Sequence, residues 1–531
     1  MKRGLVFVAA ALVAAVVWAG SKKHAKGEIG ATRMVTLNVA AEDAQGQPVE
    51  DLTESDFQVT DKGKAQTITL FRHNTETPEK LVERLGPHQF SNRTGEVPPH
   101  VTLILFDLLN ERMGQQGYAR GQIIDTLSKL ESANYLYFYM LTVEGLLPVH
   151  GLPEPNEEPA PKTATPWTRQ IQPMLDAALN NVFRMRPYMY TDDRVMMTFN
   201  VLEELATRLG AVAGRKNILW ITHGVPIAIG PARSGIDIPI DYEPVLKELN
   251  AALDRAQVAV YPVDLAPPGT QAPMSATSSG SSGLGGGGMG RGSGADSGGI
   301  PESSQTAPGV ASADTLEEMA AMTGGKAFIN PDIPGAIHQA LKDARSSYVI
   351  GYYPPPANWD GKMHKIKLKC SRKGVRLVTK TEYMAYPPEA AGMQAEQAAL
   401  RAAMLSPFDA SEIGLLADAT PDAKTPATTH LRLRIRAQDV SLLPLGDHFG
   451  GELALTYVMY GPDGRPQPSN PMPLRMDFTA QQKDDVMKNG ITAGGDLQFG
   501  PQVHKVRVVV FDNNSSAVGS VTLTGLGQTG G

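Results

Sequence analysis

Apolar and polar residues follow two different periods along this chain, and the change of period divides it into regions. Residues 33–72 show a period of two: Val35, Leu37 and Val39 alternate with polar residues, and turns such as Asp61-Lys-Gly63 separate the short runs. This pattern predicts a small antiparallel, immunoglobulin-like β module over residues 31–73. The polar segment 74–99, which contains four prolines, is interpreted as a linker.

Between residues 100 and 266 the period alternates between that of buried strands and that of amphipathic helices. Apolar runs at 101–106, 135–142, 217–222 and 258–263 predict strands, and helical patterns at 115–130, 192–209 and 242–256 predict the helices between them. This alternation predicts a parallel or mostly parallel sheet that is covered by helices on both faces.

A stretch rich in Gly, Ser and Pro interrupts the α/β pattern at 267–313. Its composition predicts a disordered insertion, because it offers too little apolar surface to offset the entropy of ordering. The α/β pattern resumes with a helix that Asp314 or Thr315 caps and that Gly324 and Gly325 end, and a helix at 333–345 and a strand at 347–353 follow. The predicted α/β domain therefore covers residues 100–386, and a hairpin of strands 364–369 and 375–380 lies near its end.

The last third of the chain returns to the period of two. Residues 387–429 contain an Ala-rich helical segment, 391–405, and are interpreted as a helix and linker. Alternation from His430 onward predicts a C-terminal β-sandwich over residues 430–531. Strands 506–511 and 518–523, on either side of Asp512-Asn-Asn514, predict a terminal hairpin.

The N-terminus carries the pattern of an export signal. Lys2 and Arg3 precede an apolar stretch at 5–18, and Val17-Trp18-Ala19 provides a cleavage site, so residues 1–19 are interpreted as a signal peptide. We expect the protein in the periplasm, in the cell envelope or outside the cell. Retention of this segment as an anchor is the alternative, and only then does the protein belong to the membrane.

Two further features of composition exclude classes of protein. Cys370 is the single cysteine, so the chain cannot form an internal disulfide. The formal net charge is -6 and no segment is a dense Lys/Arg stripe, which argues against nucleic-acid binding.

Several short stretches resemble one known family. They are Phe106-Asp-Leu-Leu-Asn110, Gly214-Arg-Lys-Asn-Ile-Leu-Trp220, Val260-Tyr-Pro-Val-Asp264 and Tyr348-Val-Ile-Gly-Tyr-Tyr353. In this order the chain resembles the von Willebrand factor A-related proteins of the acidobacterial type over residues 33–385. The resemblance implies an α/β fold: a von Willebrand A-like (Rossmann-like) doubly wound sheet, flanked by the two all-β modules.

The resemblance also implies a metal site that has been altered. In the family the first strand runs into Asp-x-Ser-x-Ser, whose oxygens hold Mg²⁺. Asp107 matches the aspartate, but Leu109 and Glu111 stand at the serine positions, and His223 replaces an aspartate after the fourth strand. The candidate metal ligands that remain are Asp107, Glu111 and Thr191, and Mg²⁺ is the cofactor they would hold.

These residues, with Asn110, Thr222, His223 and Asp264, are expected to form a binding rim at one edge of the sheet, because strand ends converge there. The preferred interpretation is a non-enzymatic protein-binding or scaffold protein without a cofactor, whose partner is a protein or an envelope component. One alternative is a Mg²⁺-dependent adhesion module. A second is a hydrolase using Asp107 and His223, against which the absence of a Gly-x-Ser-x-Gly motif counts.

Overall fold

The computed structural model describes most of the chain from Met34 onward. The described residues are 34–74, 85–93, 100–110, 116–128, 135–152, 173, 177, 191–210, 215–223, 242–265, 309–329, 332–355, 358–385, 388–406, 408–422, 424–425, 428–461, 463–498, 503 and 505–525. The predicted signal peptide, Glu111 and residues 267–308 of the Gly/Ser-rich stretch lie outside these ranges.

The described strands and helices have the following bounds. The strands are β1 (Val35–Glu42), β2 (Phe57–Asp61), β3 (Lys64–Gln66), β4 (Ile68–Asn74), β5 (Gln89–Ser91), β6 (His100–Asp107), β7 (Leu136–Thr142), β8 (Gly145–His150), β9 (Arg215–Thr222), β10 (Val258–Asp264), β11 (Ser347–Tyr352), β12 (Met363–Cys370), β13 (Arg376–Val378), β14 (Glu382–Met384), β15 (Leu415–Pro421), β16 (Thr428–Ile435), β17 (Leu443–Leu445), β18 (His448–Tyr460), β19 (Pro466–Pro468), β20 (Met472–Thr479), β21 (Ile491–Gln498), β22 (Lys505–Asp512) and β23 (Val518–Thr524). The helices are α1 (Gln116–Ser128), α2 (Thr191–Leu209), α3 (Glu243–Arg255), α4 (Gly309–Thr323), α5 (Ile333–Arg345), α6 (Pro388–Leu405) and α7 (Ala480–Asn489), with short 3-10 turns at Glu54–Asp56 and Ala437–Asp439.

A mostly parallel sheet forms the centre of the α/β region. Its strand order is β10-β9-β6-β7-β8, and β8 alone runs antiparallel to its neighbour within this order. Strands β6, β7, β9 and β10 are buried along their whole length. Continuous burial follows from helices on both faces: Phe199 and Leu253 belong to the core on one face, and Ile123 and Ile337 to the core on the other. The mixed α/β architecture expected from the alternating periods is therefore present.

The N-terminal β module is larger than the sequence predicted. Its two sheets have the orders β13-β1-β11-β4 and β14-β12-β2-β3, so residues 347–384 pair with residues 35–74. Strand β11 runs antiparallel to β1, with Leu37 opposite Ile350. The prediction that placed residues 347–386 in the α/β domain is wrong. Strand β11 is buried on both faces, and that pattern is the same as the pattern of a strand inside a parallel sheet.

The predicted hairpin of strands 364–369 and 375–380 is also wrong. Strand β12 pairs with β2 and β14, whereas β13 pairs with β1 in the other sheet. The turn at 371–374 therefore carries the chain from one sheet to the other. Alternation of apolar and polar residues identifies a strand with one buried face, but it does not specify which strand lies beside it.

The C-terminal module is a sandwich of two antiparallel sheets. One has the order β21-β16-β15-β5, and the other contains β17, β18, β22 and β23, with β19 and β20 also paired to β18. The predicted terminal hairpin is confirmed, since Val508 of β22 pairs with Val521 of β23. The core between the sheets includes Leu433, Leu455 and Val510.

Two of its strands come from segments that were predicted to be linkers. Strand β15 lies within 387–429, and β5 lies within 74–99 and pairs with β15. Next to β5, the amide of Asn92 donates to the carbonyls of Ala410 at 2.6 Å and Ile413 at 2.8 Å. A three-residue edge strand among polar residues carries no apolar alternation, so its pattern does not predict it. Helix α4 likewise begins at Gly309, inside the predicted insertion 267–313.

Candidate functional site

The carboxyl ends of β6 and β9 meet at the point where the direction of strand addition in the central sheet reverses. From β6 the chain continues to β7 and β8 on one side, while β9 and β10 lie on the other. Ligand sites of open α/β sheets form in the crevice at such a switch point. Asp107 is the last residue of β6 and Thr222 the last of β9, so the structure brings these two predicted residues together.

The carboxylate of Asp107 is fully buried and accepts four hydrogen bonds from described residues. The backbone nitrogen of Asn110 donates to Oδ1 at 3.0 Å. Oδ2 accepts from the Asn110 side-chain nitrogen at 2.9 Å, from Thr222 Oγ1 at 2.8 Å and from Trp220 Nε1 at 3.2 Å. Burial raises the pKa of Asp107, while the bonds from Asn110 and Thr222 act in the opposite direction.

Asn110 connects this carboxylate to the neighbouring helix. Its side-chain nitrogen also donates to Thr198 Oγ1 of α2 at 2.8 Å, and Thr198 donates in turn to the carbonyl of Arg194 at 2.8 Å. Asn110 Oδ1 is buried, and no residue in the described part of the chain bonds to it. We call Asp107, Asn110, Thr198, Trp220 and Thr222 the Asp107 cluster. It fixes the end of β6 to both β9 and α2.

The other predicted site residues are distributed around this cluster. Asp264 ends β10 and pairs in register with Thr222, so it lies at the same edge of the sheet. His223 directly follows β9 and is partly exposed. Thr191 begins α2, but its side chain lies outside the described residues, as does all of Glu111. The structure therefore brings Asp107, Asn110, Thr222 and Asp264 to one edge, with His223 beside them.

Two members of the cluster were missed by the sequence analysis, namely Trp220 and Thr198. Trp220 stands in an apolar run that was predicted to be a buried strand, and a buried indole usually needs an acceptor for its N–H. The period of two also places Trp220 and Thr222 on the same face of β9, which could have indicated a shared acceptor. Thr198 lies in the middle of a helix, where nothing in the sequence distinguishes it.

As arranged, the residues of the cluster do not fit Mg²⁺. This ion requires about six oxygen ligands in octahedral geometry. Around Asp107 the groups nearest the carboxylate are N–H and O–H donors, and Asn110 presents its nitrogen rather than its oxygen. Within the described ranges no group of three or more His, Cys, Asp or Glu side chains is arranged to hold a metal ion. Three of the four donors bond to Oδ2 of Asp107, so a cation at that oxygen would have to displace them.

Neither a protein-family model nor a curated protein matches this sequence. Among solved structures, the chain matches the crystal structure of an aerotolerance-related membrane protein from Bacteroides fragilis NCTC 9343 with multiple mutations to serines. The two chains are 11% identical, the match covers 46% of this chain and 98% of the other, and the TM-score is 0.23. A similarity at this level supports no conclusion about how the present chain is arranged. Across the part of the chain that is described, no helix is long and apolar enough to cross a membrane.

Proposed function

We propose that this chain is an exported, non-enzymatic binding or scaffold protein, built around a von Willebrand A-like α/β domain with a degenerate metal site. The observation that carries the proposal is the state of Asp107. Its carboxylate is completely buried and bonded to Asn110, Trp220 and Thr222. In the resembled family the corresponding aspartate binds a divalent cation. Here N–H and O–H donors of the protein itself bind the carboxylate instead.

The order of the strands supports the von Willebrand A-like interpretation. The sheet is doubly wound about β6 and β9, and Asp107 ends the first of its strands along the chain. The resembled motif begins with an aspartate at the end of the first strand, and the position of Asp107 at the end of β6 supports the interpretation. The fold alone does not specify a function, so the proposal depends on the chemistry of the Asp107 cluster.

Asp107 acts as a positioning residue in this proposal. With no exposed surface it cannot contact a partner, but it holds Asn110 and Thr222 and therefore the chain that leaves β6 and β9. The partly exposed His223, one residue beyond Thr222, then belongs to the contact surface. A partner that is a protein or an envelope component agrees with the signal-like residues 1–19.

Thermal melts of the mature protein in EDTA, Mg²⁺, Mn²⁺ and Ca²⁺ test whether a divalent cation binds at Asp107. We expect the same Tm in all four solutions, and a lower Tm for Asp107→Ala by an amount that does not depend on the cation. A cation bound only to the folded state at 100 times its Kd adds about 2.7 kcal/mol. A shift of this size that disappears in Asp107→Ala would replace the proposal with Mg²⁺-dependent adhesion.

The contact surface is tested with a photo-crosslinking residue at position 223. The matched control carries the same residue at Glu203, which is exposed on α2. Irradiation with an envelope fraction is expected to yield a defined adduct from position 223 that is absent from position 203. Equal labelling at both positions, or none at either, contradicts the proposed surface. Turnover of an ester or peptide panel that is lost in His223→Ala would instead favour the hydrolase alternative.

A further inference from the structure

A groove with a volume of about 760 Å³ lies between the N-terminal β module and the C-terminal sandwich. Its floor is the outer face of the sheet that contains β1, β11 and β4. Thr36, Gly351 and Leu70 lie side by side across these three strands, and Val349 lies beside Arg72 in an adjacent row. Small-molecule sites commonly have volumes of about 300–1,000 Å³ and often form between domains.

The groove is lined mainly by apolar side chains. Leu70 and Val349 face it from the floor, and Leu442, Leu445 and Met487 face it from the C-terminal sandwich. Strand β11 is paired on both of its edges, so the middle of the floor offers side chains and few free backbone groups. A peptide backbone in this place would bury polar groups without partners, whereas a hydrocarbon chain needs none.

Among the described residues that line the groove, the cations are Lys483, whose nitrogen lies 3.9 Å from the centre of the Phe449 ring, and Arg72, which has no described carboxylate partner. The only hydrogen bond of Arg72 to a described residue runs from Nη1 to the carbonyl oxygen of Glu412 at 3.4 Å. Nε of Arg72 is buried and has no hydrogen-bond partner among the described residues. A guanidinium group has five N–H donors in a planar fork, so most of the bonding capacity of Arg72 is available within the described structure.

The two carboxylates that line the groove form ion pairs with other cations. Asp439 forms an ion pair with Arg93 at 2.9 Å, and Glu412 lies 3.9 Å from the fully buried Lys216. With the lining residues Arg72 and Lys483 and the two paired cations Arg93 and Lys216, four cations lie in or beside the groove with these two carboxylates. The excess positive charge favours an anionic ligand over a neutral or cationic one.

We propose that this groove binds a small amphiphile that has an extended apolar body and one carboxylate, as a long-chain fatty acid has. The carboxylate would accept two parallel hydrogen bonds from Arg72, which is the geometry that guanidinium and carboxylate groups prefer. The apolar body would lie over Leu70 and Val349, against the leucines of the C-terminal sandwich. The groove shares no residue with the Asp107 cluster, so this inference stands or fails separately from the proposed function.

The experiment is calorimetric titration of the full mature chain with dodecanoate, dodecanol and dodecyltrimethylammonium below their micellar concentrations. We expect dodecanoate to bind more tightly than dodecanol by about 10-fold to 100-fold, because hydrogen bonds to charged groups contribute at that level. Arg72→Met should remove this difference by weakening dodecanoate alone. The matched control is Arg432→Met, which alters an exposed arginine of β16 outside the groove and should change neither affinity.

A steric variant locates the site. Val349→Trp fills the floor of the groove and is expected to weaken dodecanoate and dodecanol together. The proposal is overturned if dodecanoate does not bind, if dodecanol binds equally well, or if Val349→Trp leaves binding unchanged. Should Arg72→Met fail to fold, the comparison of the three ligands on the unaltered chain still decides the charge preference, and Val349→Trp still decides the location.

Discussion

The side-chain nitrogen of Asn110 lies 2.9 Å from Oδ2 of Asp107, and the same nitrogen lies 2.8 Å from the hydroxyl of Thr198. Asn110 thus uses both of its amide hydrogens within the protein. A cation at Asp107 would have to displace these donors and the indole N–H of Trp220. The arrangement makes the end of β6 a hydrogen-bonded junction, and its strength is expected to be independent of divalent ions.

A pair of threonines on α2 tests this junction. Thr198 and Thr207 both donate to the carbonyl four residues earlier, at 2.8 Å and 2.9 Å, but only Thr198 accepts from Asn110. Thr198→Val should lower the free energy of unfolding by about 1–3 kcal/mol, because it leaves a buried amide hydrogen without an acceptor. Thr207→Val should change it by less than about 0.5 kcal/mol. Urea titration measures both, and equal losses would contradict the role assigned to Thr198.

A second variant is expected to introduce a response to metal that we do not expect of the native chain. Asn110→Asp places a second carboxylate beside Asp107 in a buried position, and an uncompensated buried charge costs about 3–5 kcal/mol. In EDTA we therefore expect a lower Tm than that of the native chain. Mg²⁺ should restore part of the loss, since two carboxylates and the hydroxyl of Thr222 are oxygen ligands.

Melting curves of the native chain and of Asn110→Asp, each in EDTA and in Mg²⁺, make the measurement. A native chain that responds to Mg²⁺ as strongly as the variant would show that the junction already holds a cation. A variant that is as stable as the native chain in EDTA would show that the two neighbouring carboxyl groups are not both charged. Asn110→Ala is the control, because it removes the same donors without adding a charge.

The α/β region could be predicted closely from the sequence, because its signals are local. The helix predicted at 333–345 is observed as Ile333–Arg345, and the strand ends of β6 and β9 placed Asp107 and Thr222 at one edge. Helical and strand periods report on each segment by itself, and the parallel order follows from their alternation. Helix bounds and strand ends of this kind can be predicted without knowing which segments distant in sequence pack against them.

The pairing of strands across long distances in sequence could not be predicted in this way. Val35 pairs with Tyr352, and Leu416 with Ser91, so both β modules are completed by segments more than 300 residues away. The period of two in β12 and β13 indicates a buried face but leaves their neighbours open. The hydrogen bond from Trp220 to Asp107 could not be predicted for a similar reason. An apolar run does not indicate which polar atom lies beside its indole N–H.

The third prediction concerns Arg215, which lies at the junction of the α/β domain and the N-terminal β module. It is fully buried and donates to the hydroxyl of Tyr261 at 2.7 Å and to the carbonyl of Gly324 at 2.8 Å. Tyr261 donates in turn to Asp343 at 2.6 Å. Arg215→Met leaves this buried carboxyl group without its cation and is expected to cost about 3–5 kcal/mol of unfolding free energy.

The matched control for this variant is Arg208→Met. Arg208 also pairs with a carboxylate, that of Glu204 at 2.7 Å, but the pair lies at the surface of α2 with the arginine side chain 29% exposed. Exposed pairs of this spacing contribute about 0.3–0.5 kcal/mol. Chemical denaturation should therefore show a loss of unfolding free energy that is severalfold larger for Arg215→Met than for Arg208→Met. Similar losses would mean that the network around Arg215 does not stabilise the junction.

The last prediction concerns pH and the C-terminal sandwich. His430 of β16 lies between two carboxylates, with Nδ1 2.6 Å from Asp496 and Nε2 3.1 Å from Asp422. The hydrogen bond with Asp496 raises the pKa of His430 above its ordinary value of 6.5, and the bond with Asp422 acts in the same direction. A raised pKa in the folded state means that the folded chain binds the proton more tightly than the unfolded chain.

The stabilisation from His430 is therefore complete below about pH 6.5 and is lost as the pH rises through the higher pKa of the folded state. Urea midpoints of the native chain at pH 5.5, 6.5, 7.5 and 8.5 should fall more steeply over the upper part of this range than those of His430→Gln. Asp496→Asn removes the charge of the nearer carboxylate and should flatten the profile in the same direction. A native profile that coincides with both variants, or one that rises with pH only in the native chain, would contradict the assignment of this titration to His430.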